Sequence, residues 1–364
     1  MNNFHLLDQK LYIITKKFII NTFFLYLTYI IPLNLPIYNR KLVILLLFVD
    51  NSDLSEIAYN VKYESSWNNG PSILKFEYPS EKAAVYPNGC TVIFTYGTAN
   101  LFYGFLFKTR QNRKSYQCTC YDQLRYLKSK NTILRQNETL TSFLNTVALN
   151  AGDRIRLGNI DQTEYVLGKY LFDNKTHLDM LYQSIEDNLV ANGYYYTLFD
   201  NFGALDLRDT LDLRLPLVIG DESLATDFTH EKSIDDDTYN YIKVAKDDKE
   251  KGIRDIYITQ DSSNMARWGK LMLYEKVSAD LNDAQLAERA NQLLQIKNRE
   301  TESLRMECIG DVRVHGGSGV NIQIAQAGIN LWAVVDSVTH EFSRTNHTMR
   351  INLIFGRWWN GLGS

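Results

Sequence analysis

The amino-acid sequence predicts a β-rich α+β protein in which two β-barrel-like domains are separated by a smaller α+β domain. Three observations carry this expectation. Short β-prone runs divided by Gly, Pro and Asn turns fill the stretch from about 41 to 123. Helical spacing replaces that pattern between about 137 and 190, and strands return from about 226. At 364 residues the chain exceeds the length at which one hydrophobic core keeps growing, so two or three domains are expected.

In the first β region, turn chemistry stands at Asn68-Asn69-Gly70-Pro71, at Pro87-Asn88-Gly89 and at Gly97. Leu74, Phe76 and Tyr78 alternate with Lys75 and Glu77, which puts the three large side chains on one strand face. Cys90 to Tyr96 and Leu101 to Lys108 flank a short glycine-containing link, and Tyr116 to Tyr121 closes the set, giving a first β-barrel domain over 42–130.

The period then changes. Asn137-Glu138-Thr139 supplies capping residues ahead of Leu140, Phe143, Leu144, Val147 and Ala148. A second helix, Thr176 to Val190, carries Leu178, Leu181, Ile185 and Leu189 on one side. After Asn192-Gly193 the run Tyr194 to Leu198, a turn at Asp200 to Gly203 and the run Ala204 to Leu207 read as a hairpin, completing an α+β domain over 131–225.

The second β-barrel domain is placed at 226–364. Thr238 to Ala245 and Ile253 to Thr259 are strands joined by the charged turn Asp247 to Gly252, and Lys270 to Val277 follows a short polar link. A helix at 283–298, with Leu286, Ala290, Leu293 and Leu294 on one face, interrupts the strands. They resume at Ser303 to Ile309, Val320 to Ile324, Leu331 to Ser337 and Thr348 to Phe355.

Residues 1–41 stand apart as a hydrophobic N-terminal extension. From Met1 to Val49 there is no Gly, Ala, Glu or Ser, whereas the remainder has an ordinary mixture. Three readings compete: translation of AT-rich sequence upstream of a later start, which ranks first, a membrane segment, and a secretory signal. Phe18 to Ile31 is shorter than a bilayer crossing, and Pro32, Asn34 and Pro36 interrupt its continuation, although Phe18 to Tyr38 inserted whole would span. No small-residue cleavage site follows Leu33. Recovery of an intact Met1 to Lys17 peptide by mass spectrometry of native particles would rule out the later start.

Charge and cysteines narrow the function classes. A formal net charge of -3 offers phosphate backbones no general attraction, which argues against nucleic acid as a partner. Lys108, Arg110, Arg113 and Lys114 read as a solvated hairpin face. Cys90, Cys118, Cys120 and Cys308 contain no CxxC pair, so buried free thiols are expected in a reducing compartment. The 23 tyrosines suit contact surfaces, since Tyr buries a large ring and keeps a polar end at a wet rim, though Tyr194 to Tyr196 read equally as ordinary strand residues.

A search for reactive constellations assigns no catalytic, cofactor-binding or metal-ligating residue. Asp235-Asp236-Asp237 lacks the spaced oxygens and glycine of a calcium loop and reads as a solvated turn. His340-Glu341 and His347 sit on or beside the last two strands, where a ligand pair across a hairpin is conceivable and a hydrogen-bonded or surface role is the commoner outcome. Gly316-Gly317-Ser318-Gly319 has the glycine content of a phosphate cradle without its lysine or its following helix, and reads as a turn between strands. Asp179 with Glu186, or Glu164 with Asp173, are nominal glycosidase pairs whose separation sequence cannot supply.

Several stretches resemble the XkdQ group of prophage tail proteins, relatives of phage late control protein D and the tail hubs of T-even phages. They are Leu101-Phe102-Tyr103-Gly104-Phe105-Leu106-Phe107, Cys120-Tyr121-Asp122-Gln123-Leu124-Arg125-Tyr126-Leu127-Lys128 and Ser233-Ile234-Asp235-Asp236-Asp237-Thr238-Tyr239-Asn240. Further collinear matches are Ile258-Thr259-Gln260-Asp261-Ser262, Trp268-Gly269, Gln292-Leu293-Leu294 and Val338-Thr339-His340. The likeness spans about 43 to 356, and such proteins usually begin near the strand at Val43 to Val49, so the first residues depart from the pattern.

The resemblance implies a homotrimeric, non-enzymatic baseplate hub of a contractile phage tail or tail-like particle, assembled in the bacterial cytoplasm. Its partners would be the tail tube or tube-initiator protein, the central spike, and in addition the tape measure and a LysM-containing baseplate protein. The alternative is a tail-associated peptidoglycan hydrolase; a membrane-anchored β protein rests on Phe18 to Tyr38 alone.

Overall fold

The computed structural model describes residues 44–356, apart from 222–224, 236, 249–251, 278 and 280. The expected extension over 1–41, the membrane-length run Phe18 to Tyr38, and Asp236 lie outside the described residues. No helix among the described residues is long and apolar enough to cross a membrane.

The first strands are β1 (Leu45–Val49), β2 (Ser52–Asp53), β3 (Tyr59–Ser66), β4 (Ile73–Pro79), β5 (Thr91–Tyr96), β6 (Ala99–Gln111) and β7 (Ser115–Tyr121). The alternation read from β4 holds: Leu74, Phe76 and Tyr78 are buried between half-buried Lys75 and Glu77. Cys118 and Cys120 share the buried face of β7 and join them in one core with Phe94, Phe102 and Phe342. All four cysteines are free and buried. β1 is buried along its whole length because its second face, Leu46 and Phe48, meets Ile93, Tyr103 and Phe105 in a separate cluster. Fully burying a side chain of Phe or Leu size contributes roughly 1.5–3 kcal/mol, so these two faces account for most of this half's stability.

Gly104, in the middle of β6, has no room for a side chain. A Cβ there would lie 2.3 Å from the Tyr121 carbonyl oxygen and 2.5 Å from the Phe102 ring. Gly104→Ala is therefore expected to lower the unfolding free energy by about 2–3 kcal/mol, read as an earlier urea midpoint with unchanged slope. A midpoint matching that of the natural chain would contradict the packing described for β6.

A 3-10 helix, Gln123–Lys128, capped by the Asp122 carboxylate, leads into the middle of the chain. There follow β8 (Lys130–Arg135), β9 (Glu138–Thr139), α1 (Leu140–Ala151), β10 (Leu157–Ile160), β11 (Val166–Leu167), β12 (Tyr170–Thr176), α2 (His177–Asn192), β13 (Tyr196–Asp200) and β14 (Leu205–Asp209). α1 starts where the capping chemistry placed it, and α2 starts one residue after the expected Thr176, which caps it: the Thr139 and Thr176 hydroxyls accept the Ser142 and Asp179 amides. α2 stops at Gly193, which adopts φ 80° and returns its amide to the Leu189 carbonyl. The expected hairpin is β13 with β14. Strands β8 to β12 were not legible, because β12 buries only Phe172 among exposed and half-buried neighbours and shows no alternation to read.

The last third contains β15 (Arg214–Gly220), β16 (Ala225–Ser233), β17 (Tyr241–Asp248), β18 (Ile253–Gln260), α3 (Ser262–Trp268), β19 (Met272–Lys276), α4 (Asp283–Lys297), β20 (Thr301–Ile309), β21 (Gly319–Ile324), β22 (Ile329–Phe342) and β23 (His347–Phe355). α4 begins with a full capping box, Asn282 with Gln285. α3 replaces the expected polar link. It buries none of its residues, so it has no apolar stripe to read, and its signals are the Asp261 cap and Gly269.

The two strand groups expected as separate barrels share one sheet. Its path runs β16-β20-β23-β22-β3-β4-β7-β6-β5-β1-β2, with β15 and β21 branching from β22, thirteen strands in all. The joint is β22: its residues 337–342 pair with β23 on one edge and with β3 on the other, while 329–334 pair with β21. Among the described residues the path ends at β16 and β2 without closing on itself. Each half keeps its own core, the second built from Leu304, Met306, Val320, Ile322, Ile351 and Leu353 among others. β17, β18 and β19 form a separate small sheet packed on α4.

Candidate functional site

The place where the parts of the chain meet is the β3–β22 seam. Trp67, one residue past β3, anchors it in three directions. Its amide donates to the Asp336 carbonyl at 2.7 Å, its indole Nε1 donates to the Thr197 hydroxyl at 2.8 Å, and its ring meets Tyr195 edge-on at 4.7 Å. Gly316 makes the approach possible: a Cβ there would lie 2.4 Å from the Ser66 backbone, and its amide donates to the Ser65 hydroxyl. The glycine run 316–319 is thus a close-packed turn leading into β21, as its composition suggested.

Beside the seam lies a half-open polar cavity of about 330 Å³, lined by Tyr63, Asn100, Asp200, Asp206, Arg208 and His315 among other side chains. Burial pushes the Asp200 carboxyl up to about 7, and burial together with Asp200 pushes Asp122 well above the usual carboxylate range. Both are tied into the backbone. Asp122 accepts from the Ser72 and Leu124 amides, and Asp200 accepts from the Gly203 amide and the Gln123 side chain. Asp206 accepts from the Asn159 amide and from the side chains of Asn159 and Asn201. These carboxyls hold loops in place, and none has a nucleophile and base arranged around it.

At the far end of the seam, His340 and His347 meet across the β22–β23 hairpin, as their spacing allowed. His340 Nδ1 is 2.9 Å from His347 Nε2, and His340 Nε2 is 2.9 Å from the Val314 carbonyl oxygen. A carbonyl only accepts, so His340 carries its proton on Nε2 and His347 donates to the vacant Nδ1. Burial holds both imidazoles neutral, at about 4 for His340 and about 3 for His347. His347 also stacks on Phe342, centroids 4.3 Å apart, inside the first core. The pair is a structural lock between the two halves of the sheet.

A chain of buried charge ties the middle segment to α4. The Arg135 guanidinium donates to Ser184 at 2.7 Å and to Asp187 at 2.9 Å; Arg289 reaches the other Asp187 oxygen at 3.1 Å and pairs with Glu275. No motif announced these residues, and the only local signal was that Ser184 and Asp187 lie within the α2 pattern.

The nominal glycosidase carboxylates lie elsewhere. Asp179 is in the exposed first turn of α2 and Glu186 lies opposite Lys297 at 3.6 Å; Asp173 accepts from Thr132, and Glu164 is exposed on the loop before β11. None of the four lines the seam cavity. Asp237 adopts φ 56° and binds Lys297 through both oxygens at 2.8 Å, while Asp235 is exposed on the turn. Tyr194 is exposed, whereas Tyr195 and Tyr196 pack against the seam and the middle core.

The long antiparallel sheet with its two cores and its α+β insert is the fold of phage tail proteins. A tail protein from Neisseria meningitidis MC58 superposes with a TM-score of 0.66 at 12% identity, covering 87% of this chain and 98% of that one. The 43 kDa tail protein of prophage MuSo2 from Shewanella oneidensis gives 0.63 at 13% identity, covering 85% and 97%. The chain belongs to the YQBQ-like family, whose model matches residues 61–354. Two proteins of Bacillus subtilis (strain 168), the uncharacterized protein YqbQ and the phage-like element PBSX protein XkdQ, are each 28% identical to it over 269 and 270 residues, 73% of this chain and 81% of theirs.

Proposed function

We propose that this chain is a structural hub protein of a contractile phage tail or tail-like particle, a homotrimer whose paired β modules form a ring joining the tail tube to a central spike. The observation that carries the reading is the thirteen-stranded sheet running through two cores, which joins strands of the proposed β modules over 42–130 and 226–364 through the β3–β22 pairing. Three copies then present six similar modules around one axis, and closed cyclic symmetry is what lets one chain type build a collar. Family membership and the tail-protein fold support the same reading. So does the E. coli c3393 protein, described as a type VI secretion component resembling T4 tail proteins gp27 and gp5, which superposes with a TM-score of 0.55 at 10% identity.

In this reading the α+β insert over 131–225 braces the ring from outside and the work is done by surfaces. The tube or tube-initiator protein, the spike, the tape measure and a LysM-containing baseplate protein are the proposed partners, met during assembly in the bacterial cytoplasm. Sedimentation of the purified full chain tests it, with a species of three times 42.1 kDa expected at micromolar concentration. A monomer at every concentration, releasing soluble fragments from cell-wall material, would replace the hub by a hydrolase.

A further inference from the structure

We infer that the outer face of the β17–β18–β19 sheet is a contact between copies of this chain, seated on the acidic β16 edge of the next copy. This rests on the homotrimer reading and says which surfaces close the ring.

One face of the small sheet is used internally: Ile242 and Val244 pack on Leu286, Ala290 and Leu293 of α4. The register places Tyr241, Lys243 and Ala245 of β17 beside Ile256 and Ile258 of β18 and Met272 and Tyr274 of β19 on the opposite face. Ile256, Ile258, Met272 and Tyr274 are 46%, 46%, 50% and 43% exposed. Four large apolar side chains exposed side by side on one sheet face form the kind of patch that on a soluble protein marks a contact.

The rim of the patch is basic. Lys243, Arg254, Lys270 and Lys276 surround the patch with one carboxylate, Asp247, which Arg254 and Lys276 share. Lys243 and Lys270 sit over the Tyr274 and Tyr241 rings, 5.6 and 3.6 Å from the centroids, with no carboxylate partner among the described residues. A surplus of three positive charges thus stands on a chain whose formal net charge is -3. Its complement is on the same chain. Among the described residues β16 ends the thirteen-stranded sheet, paired to β20 on one side only. Along it and at its ends Asp221, Asp227, Glu231 and Asp235 are exposed with no cationic partner among the described residues, while Lys232 is drawn to Glu302 at 3.5 Å. Two distinct, complementary surfaces on one chain make a head-to-tail contact, the kind that closes rings. The match of an acidic strand edge on this same molecule favours a second copy over an anionic lipid or a nucleic acid.

The test uses the full chain. Lys243→Glu with Lys270→Glu is expected to weaken trimer formation at least about 100-fold in sedimentation. Asp227→Lys with Glu231→Lys should do the same, and all four changes in one chain should restore the trimer. A trimer unaffected by either pair, or folded fourfold variants that stay monomeric, would overturn the contact while leaving the hub reading intact; a monomeric natural chain would remove the hub reading itself. Because the native thiols are buried, cysteines placed at Ile258 in one batch and Thr229 in another give a measurement independent of charge. A bismaleimide should link only the mixture, and absence of a link in it would overturn the contact. Vesicles of phosphatidylglycerol and a DNA duplex complete the set. Binding to either that is lost in Lys243→Glu with Lys270→Glu, with the trimer preserved, would assign the face to that ligand instead.

Discussion

Replacing Asp187 by Ala is expected to lower the unfolding free energy by about 3–5 kcal/mol, because it leaves the buried Arg135 guanidinium without an anionic partner and removes one of the two carboxylates that Arg289 binds. The Arg135 side chain is 4% exposed and that of Arg289 20%, and each binds a different Asp187 oxygen. Arg135 retains only Ser184, the Gly168 carbonyl and the faces of Phe143 and Phe172, none of them anionic. Glu275→Ala supplies the contrast, since Arg289 would still hold Asp187, and a cost of about 1–2 kcal/mol is expected. Urea unfolding of the three proteins at neutral pH checks the order. Equal costs for the two variants would mean that the charge chain does not couple α2 to α4.

The second large effect is a pH response in which two buried pairs pull in opposite directions. His340 and His347 have native values of about 4 and 3 against 6.5 when unfolded. Between pH 6.5 and 4 the unfolded chain therefore holds protons that the native one refuses, and their contribution to stability is lost as pH falls, by up to about 1.4 kcal/mol per pH unit for each ring. Asp200 behaves the other way. Its native carboxyl keeps a proton up to about 7 while the unfolded one releases it at 3.8, so its contribution is lost as pH rises through that window. The sum in the natural chain is a shallow slope that conceals both.

Variants separate them. His347→Gln removes one refused proton, so its deficit relative to the natural chain should shrink by about 2 kcal/mol between pH 6.5 and 5. Asp200→Asn should move the opposite way, gaining on the natural chain as pH rises from 4.5 to 6.5 by a similar amount. A gap that stays constant with pH in both variants would show that neither pair titrates as the geometry requires.

Much of the local structure was legible beforehand because its causes are local. Thr139 and Thr176 open helices where a hydroxyl can cap the first turn, and Leu74, Phe76 and Tyr78 alternate because strand side chains alternate. What failed to show was what lacks a period. α3 buries none of its residues, and β12 carries a single buried residue. The seam was equally hidden. Asp122 lies in a stretch that bore the family resemblance, yet its partner Asp200 is supplied by a turn 78 positions away, and Arg135 binds Asp187 with no motif at either end.

The sequence by itself determined that this is a β-rich chain with a helical insert, where most helices and strands begin, which thiols are buried, and which family it resembles. Only the tertiary structure decided that the two β modules share a sheet, which histidines and carboxyls face each other, and which strand is left as an edge. The reason is range. Capping and alternation act over a few residues and leave a mark in composition, whereas the β3–β22 joint brings together groups such as Lys62 and Glu341, 279 positions apart, whose pairing depends on the accumulated twist and length of every strand between them.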